Sequence, residues 1–478
     1  MTRFWLTFSA FLATAALSAC GKPPPGAISG RDADYALSVL AHAPEQGFAP
    51  NAFGEQALLK VDAKRDPARR NALLHAAIVA YANAEHGHAI PAKAMPDEWG
   101  LRAPPYDAEA ELDQAVAQHR FRQWLDGLPP SSPRYRALQQ AYVPYLKLAV
   151  AGGWSGVPDG PPLRLGAAGP RVDALRQRLA AEDPQVPKPA GPFDQALANA
   201  LARFQQAQGL NPTGRLDKDT LEALNVPTSA RAAQIRANLE RLRWLPREDP
   251  ATHIEVNTAA QTTDYFVGGR PAMHIVSAAG RPGDESPMLG SAINAITVNP
   301  PWNVPETIAQ NELLPKGGDY LASHGFVTKD GGGLVQQPGP DSALGLVKFD
   351  FPNRYSVYLH DTPSKAAFNQ SSRAVSHGCV RLQAAVPLAK AILQQENGWS
   401  PDRLDQLIAS RKTSSVKLDH TVPVRLIYLT AFPDASRIAF RPDIYGWDEK
   451  TLQLLDSAKP GGGQVAQNAG RAHPPRES

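Results

Sequence analysis

The stretch AVSHGCVRL, residues 374–382, holds Cys379, one of only 2 cysteines in the 478-residue chain. His377 and Gly378 precede it directly, and a second histidine, His360, ends the apolar run YSVYLH upstream. Cysteine attacks carbonyl carbons as its thiolate, and a free thiol titrates near ~8.5, so a neighbour must draw off the proton. A base that does this reaches the sulfur with one ring nitrogen and is oriented through the other. Residues two apart on extended backbone share a face, so His377 can lie near the sulfur without being its base. His360 is followed by Asp361, and a backbone carbonyl there could fix its tautomer. Gly378 has no Cβ, so a substrate can approach its backbone. The amides of Gly378 and Cys379 could then receive an oxyanion. RLQAAVPLAKAILQQ (381–395) reads as a helix starting near Arg381, whose positive end would lower the thiol pKa. The alternative fate of Cys379 is that of many free cysteines, a small buried hydrophobe.

The N-terminus bears on that choice. Arg3 and the apolar run over 4–17 read as a targeting segment (1–20), too short for a comfortable membrane span. Its ending, Leu17-Ser18-Ala19-Cys20, resembles the lipobox of bacterial lipoproteins, which implies lipidation of Cys20. An ordinary secretory signal with Cys20 incidental stays open. Either way the chain is expected to be exported. A lipidated chain with Gly21 rather than an acidic residue after the cysteine points to the outer membrane more than the inner. Cys379 is then the one remaining thiol in an oxidising compartment, with no intrachain disulfide partner.

The elements that must carry these residues follow from periodicity. Length suits two or three domains. A formal charge of +3 gives no case for nucleic acid, and 45 prolines imply many boundaries. Residues 21–30 read as a tether. Residues 31–152 read as an all-α scaffold, with helical stripes at Leu73, Leu74, Ile78 and Tyr81, at Leu112, Ala115, Val116, His119 and Trp124, and at Tyr135, Leu138, Tyr142 and Leu146. His86 and His88 (EHGHA) lack further ligands at close spacing and read as a solvated loop, so no metal is expected. Residues 153–164 form a Gly/Pro linker. Residues 164–226 form a compact helical unit in which Leu197, Leu201 and Phe204 make one stripe, Gly209 ends a helix and Asp217 caps the next. From about 250 the texture turns to strands: HIEVNT, TDYFVGG, MHIVSAAG, AITVNP and YSVYLHD, with two more over 421–441. Residues 306–346 interrupt them as a helix (308–314) followed by a Gly/Pro-rich loop, a lid or substrate-binding excursion. The tail, 459–478, reads as disordered.

Two resemblances gather these observations. FDQALANALARFQQAQGLNPTGRLDKDTLEAL (193–224) resembles the three-helix peptidoglycan-binding module of cell-wall enzymes. YLHDTP (358–363) followed by SHGCVRL (376–382) resembles the active-site signature of bacterial L,D-transpeptidases. VNPPWNVP (298–305), PGPDSALGLVKFDFPN (338–353) and FRPDIYGWD (440–448) resemble that family's flanking stretches, and VNTAAQTTDYFV (256–267) fits it least. Arg381 after HGCV fits the subgroup with a capping insertion. The fold implied is a multidomain α+β chain: an N-terminal all-α region, a small three-helix wall-binding module, and a mainly-β catalytic domain (250–446) with a helical and loop cap over 306–346.

The resemblance implies Cys379 as nucleophile, His360 as base and later acid, and His377 as a group that shapes and polarises the site. Gly378 and Asp361 contribute backbone groups. Ser376 and Arg381 hold the turn or meet a substrate carboxylate, and Tyr358 and Trp302 line the cleft, with core packing open for Trp302. The reaction implied is attack on the meso-diaminopimelate carbonyl of a tetrapeptide stem, loss of D-alanine and transfer to a second stem, a 3→3 cross-link, with no cofactor. Carbapenems would be inhibitors. Water as acceptor (an L,D-carboxypeptidase or endopeptidase), a lipoprotein lysine as acceptor, and a non-catalytic wall-binding protein remain alternatives. A glycosyltransferase and a D,D-carboxypeptidase would be logical functional neighbours.

Overall fold

The computed structural model describes residues 28, 30–62, 64–186, 191–434 and 437–458. The expected leader with Cys20, nearly all of the tether and the tail from 459 lie outside the described residues.

The N-terminal region is helical, and its helices begin where local chemistry supplies a cap. Asp66 accepts the Arg69 amide at 3.0 Å and opens Pro67–Asn83, with Pro67 in the first turn, where its missing N–H costs nothing. Leu74, Ile78 and Tyr81 are its buried stripe. Ser132 opens Pro133–Val150 in the same way. The stripe from Leu112 to Trp124 is not one helix. It divides into Ala108–Ala117 and Phe121–Asp126, because His119 adopts a left-handed backbone with φ +56°. EHGHA is not a solvated loop either. His86 is half-buried and stacked on Tyr106 with ring centroids 3.5 Å apart, and His88 Nε2 meets the Pro104 carbonyl at 3.0 Å.

The next unit has three helices, Pro170–Ala180, Gln195–Ala207 and Lys218–Leu224. Asp217 accepts the Thr220 amide at 2.9 Å, and Leu210 N–H returns to the Gln205 carbonyl at 2.8 Å beyond Gly209, closing the second helix. A fourth long helix, Thr228–Arg243, follows; its sequence had suggested no element.

The β-rich region is built on strands β1 (His253–Asn257), β2 (Thr262–Val267), β3 (Arg270–Gly280), β4 (Leu289–Val298), β5 (Trp302–Asn303), β6 (Phe326–Thr328), β7 (Leu334–Gln336), β8 (Val347–Asp350), β9 (Leu359–His360), β10 (Ala374–Ser376), β11 (Val380–Leu382) and β12 (Ser414–Ile427). Nine of them form one sheet in the order β10-β3-β11-β9-β8-β4-β12-β1-β2, and β2 also pairs with β3, so the sheet closes on itself. Closure leaves few free edges. Ile254, Val256, Ile293, Ile296, Phe349, Leu359, Val380 and Leu382 fill its core, covered by Leu388 and Ile392 of the helix Ala385–Leu393.

Four expectations change here. Residues 380–382 are a strand, so the helix expected from Arg381 starts only at Ala385. YSVYLHD contributes only the two residues of β9. The stretch 306–346 is more than a helix and a loop: it holds a second helix, Gly318–Ser323, and the strands β6 and β7, which join β5 just before it in a small sheet β5-β7-β6 around Ile308, Leu313, Phe326 and Leu334. The region expected to hold two strands starts earlier, with β12, and continues as the hairpin β13 (Ala431–Asp434) and β14 (Arg437–Phe440).

Buried ions hold the helical core together and tie it to the barrel. Tyr428, Phe440, Trp447 and Leu455, late in the chain, complete the helical core beside Leu40, Ile78 and Trp244. Arg243 is buried between Glu85 (2.9 Å) and Glu240 (3.3 Å), with the Tyr135 hydroxyl at 2.7 Å. Glu255 on β1 takes Arg134 from the helical region and Arg425 from β12, each at 2.6 Å. Burial opposes ionisation of Glu255, but these two guanidinium groups outweigh it and hold the carboxyl well below its usual range.

Candidate active site

The parallel ladder between β9 and β11 sets the site. Val380 stands opposite Leu359 and Arg381 opposite His360, and Val380 N–H donates to the Tyr358 carbonyl at 3.1 Å. Val380 and Leu359 point into the core. Alternation then sends Tyr358, His360, Cys379 and Arg381 to the other face. On the far side of β9, Lys348 of β8 pairs with His360. His360 therefore lies between two cationic residues on the neighbouring strands.

His360 is buried, and its Nδ1 meets the Asp361 carbonyl at 2.5 Å. A carbonyl only accepts, so Nδ1 carries the proton and Nε2 keeps its lone pair. Asp361 is itself held, its Oδ2 accepting the Leu346 amide at 2.9 Å and its Oδ1 pairing Lys365 at 2.6 Å. Burial, reinforced by Arg381 and Lys348, pushes the imidazole pKa down to about 3, so the ring is neutral at neutral pH.

Cys379 is half-buried and makes no disulfide. Burial pushes its thiol up; the Tyr358 amide and hydroxyl, then Arg381 and Lys348, pull the other way without prevailing. The expected lowering by a helix end is not found, because β11 separates the cysteine from that helix. Tyr358 sits 5.6 Å edge-on from the His360 ring, and its hydroxyl interacts with both Cys379 and the Trp302 indole. Trp302 also packs against Phe326 in the core of the insertion, so it is shared between that core and the cleft.

The turn carrying the cysteine is locked by short contacts. Ser376 Oγ donates to the Cys379 carbonyl at 2.5 Å and accepts the Gly378 amide at 3.2 Å. Ser286 Oγ donates to the Gly378 carbonyl at 2.7 Å. Gly378 has φ +102°, and a Cβ there would meet nothing closer than 3.4 Å. The backbone conformation, not space, selects glycine. Gly378→Ala is expected to cost about 1–3 kcal/mol of stability and to displace the cysteine, read as a lower urea midpoint together with slower acylation.

His377 does not turn towards His360. Its Nε2 reaches Glu312 Oε1 on the capping insertion at 2.7 Å, and Arg281 Nη2 reaches the same oxygen at 3.2 Å. Lys348 on β8, Arg281 and Ser286 in the loop between β3 and β4, and Glu312 on the insertion escaped the sequence reading because only the fold brings them to the cysteine turn. Only the Gly/Pro-punctuated, charged run GRPGDESP (280–287) marked the neighbourhood. Among the described residues, no group of three or more His, Cys, Asp or Glu side chains is arranged to hold a metal ion.

Residues 251–398 match the model of the L,D-transpeptidase catalytic domain, 168–224 that of a "putative peptidoglycan binding domain", and 27–141 that of a scaffold domain. The chain thus carries an L,D-transpeptidase catalytic domain together with a peptidoglycan-binding module. A Haemophilus influenzae protein described as a "putative L,D-transpeptidase" is 33% identical over 270 residues, covering 51% of this chain and 55% of that protein. The chain spans about half the length of this curated relative. Among solved structures, an L,D-transpeptidase from Mycobacterium smegmatis is 16% identical (37% of this chain, 58% of that one, TM-score 0.21). The catalytic domain of the E. faecium L,D-transpeptidase acylated by ertapenem is 14% identical (38% and 99%, TM-score 0.20).

Proposed function

We propose that this chain forms 3→3 peptidoglycan cross-links through a thioester on Cys379. The observation that carries the reading is the placement of His360 on the strand beside Cys379, with Nδ1 committed to the Asp361 carbonyl and Nε2 left to accept a proton. Cys379 sulfur attacks the meso-diaminopimelate carbonyl of a tetrapeptide stem while His360 takes the thiol proton. His360 then gives that proton to the departing D-alanine amine. The side-chain amine of a second stem attacks the thioester, His360 takes its proton, and the thiol is restored. The Gly378 amide is already bonded to Ser376 Oγ, so the oxyanion falls chiefly to the Cys379 amide.

Thiol and imidazole both rest neutral, so proton transfer accompanies attack rather than preceding it. The rate of Cys379 acylation by a carbapenem is expected to be nearly flat across roughly pH 5–8, because neither partner changes state there. A rate rising tenfold per pH unit would instead indicate a pre-formed thiolate. Intact-protein mass spectrometry should show one carbapenem adduct on the wild type and none on Cys379→Ala; an adduct on both would remove Cys379 from the mechanism.

The remaining parts serve delivery. A cavity of about 450 Å³ in the three-helix unit, lined by Arg164, Gln195, Asn199, Thr213 and Arg215, offers polar groups to a wall peptide or glycan. The insertion over 306–346 stands beside the cleft and favours a second stem over water as acceptor. No helix among the described residues is long and apolar enough to cross a membrane. A lipid on Cys20 would hold the enzyme in the periplasm at the outer membrane, next to its polymer, where a D,D-carboxypeptidase would supply tetrapeptide stems and a glycosyltransferase the strands.

A further inference from the structure

Glu312 crosses from the insertion to the catalytic domain and meets two donors there, His377 Nε2 and Arg281 Nη2. These donors are placed without its help. Arg281 N–H donates to the Ser376 carbonyl at 2.9 Å, directly before His377, and its guanidinium is steadied by Asp284 at 2.7 Å. An arginine and an imidazole N–H thus converge on one carboxylate oxygen at the rim of the cysteine turn. The side chains of His377, Arg281 and Glu312 are 24%, 46% and 40% exposed, so the cluster is open to solvent. Ion pairs this exposed are weak and exchange readily. Glu312 also sits on a short π-type turn, Ala309–Leu313, a geometry found mostly at functional sites. The acyl-transfer chemistry uses neither Glu312 nor Arg281.

We propose that Arg281 and His377 form a subsite for a carboxylate of the donor stem, and that Glu312 is an internal stand-in occupying it while the site is empty. The inference rests on the transpeptidase reading. On that reading the departing D-alanine carries a free carboxylate one residue beyond the attacked carbonyl, about 3.8 Å of chain. His377 lies two residues from Cys379, within about twice that span. Arginine suits a planar carboxylate, and a second donor beside it fixes the orientation. Arrival of the stem displaces Glu312 and frees the insertion from the turn, so donor binding and cap release become one event.

The test uses the full chain in a Cys379→Ala background, with disaccharide-tetrapeptide titrated by calorimetry. Glu312→Gln is expected to tighten binding, because the competing carboxylate is gone. Arg281→Gln is expected to weaken it about tenfold, the scale of one hydrogen bond to a charged group. Both effects should vanish for the stem ending in D-alanine amide. If they vanish instead only when the diaminopimelate carboxylate is amidated, the subsite stands and takes that carboxylate. If Glu312→Gln weakens binding, or both variants act equally on every amidated stem, the proposal is overturned. That failure is separable from failure of the transpeptidase reading, which is scored by the carbapenem adduct on wild-type Cys379.

Discussion

His360→Gln is expected to slow acylation of Cys379 by about 10²–10⁴-fold, the usual contribution of a positioned general base. Glutamine can keep a hydrogen bond to the Asp361 carbonyl but has no lone-pair nitrogen to receive the thiol proton. The same substitution should alter the acid response of the fold. The His360 pKa is held at about 3 in the folded chain, against about 6.5 in the unfolded one. The unfolded state therefore binds the proton more readily. The stabilisation is fully present above about pH 6.5 and is lost as pH falls towards 3. Wild type should lose urea resistance between pH 7 and 4, and His360→Gln should lose less. Equal losses would show that the ring is not held neutral by its surroundings.

Arg243→Met should be the most destabilising single change away from the site, by about 3–5 kcal/mol. It leaves Glu85 and Glu240 buried without their cation and strips the Tyr135 hydroxyl of a donor. Adding Glu85→Gln should recover part of the loss, since the cost lies in the uncompensated charge rather than in lost volume. Urea denaturation with an unchanged slope is the measurement. A midpoint within experimental error of wild type would mean that this ion cluster does not hold the helix Thr228–Arg243 to the N-terminal helices.

Cys379, His360 and the turn around Gly378 were legible because one short block and one strand end carry them, and a parallel ladder needs only two paired residues to bring them together. The helix Thr228–Arg243 was not. Arg231, Asn238, Glu240, Arg241 and Arg243 are buried in it, so polar residues occupy positions where a core stripe would show apolar ones. Periodicity reads such a helix as surface, because ion pairs formed with distant residues leave no local trace. The same blindness hid Lys348, which reaches His360 only through sheet register, and Glu312, which reaches His377 only through tertiary folding. The strand at 380–382 was mistaken for the start of a helix for a different reason. Leu382 stands at helical spacing from Ala385, Val386 and Ala389, so the run reads as one helix, and pairing with β9 and β3 decided otherwise.

On the proposed function, Cys379 transfers an acyl group from one stem to another. The chain without residues 1–20 would be incubated with disaccharide-tetrapeptide beside Cys379→Ala, and the products read by mass spectrometry. A dimer lacking one D-alanine is expected with the wild type and none with the variant. Tripeptide monomer alone would contradict cross-linking and make water the acceptor. Unchanged substrate, with no acyl adduct on Cys379, would contradict the enzymatic reading altogether.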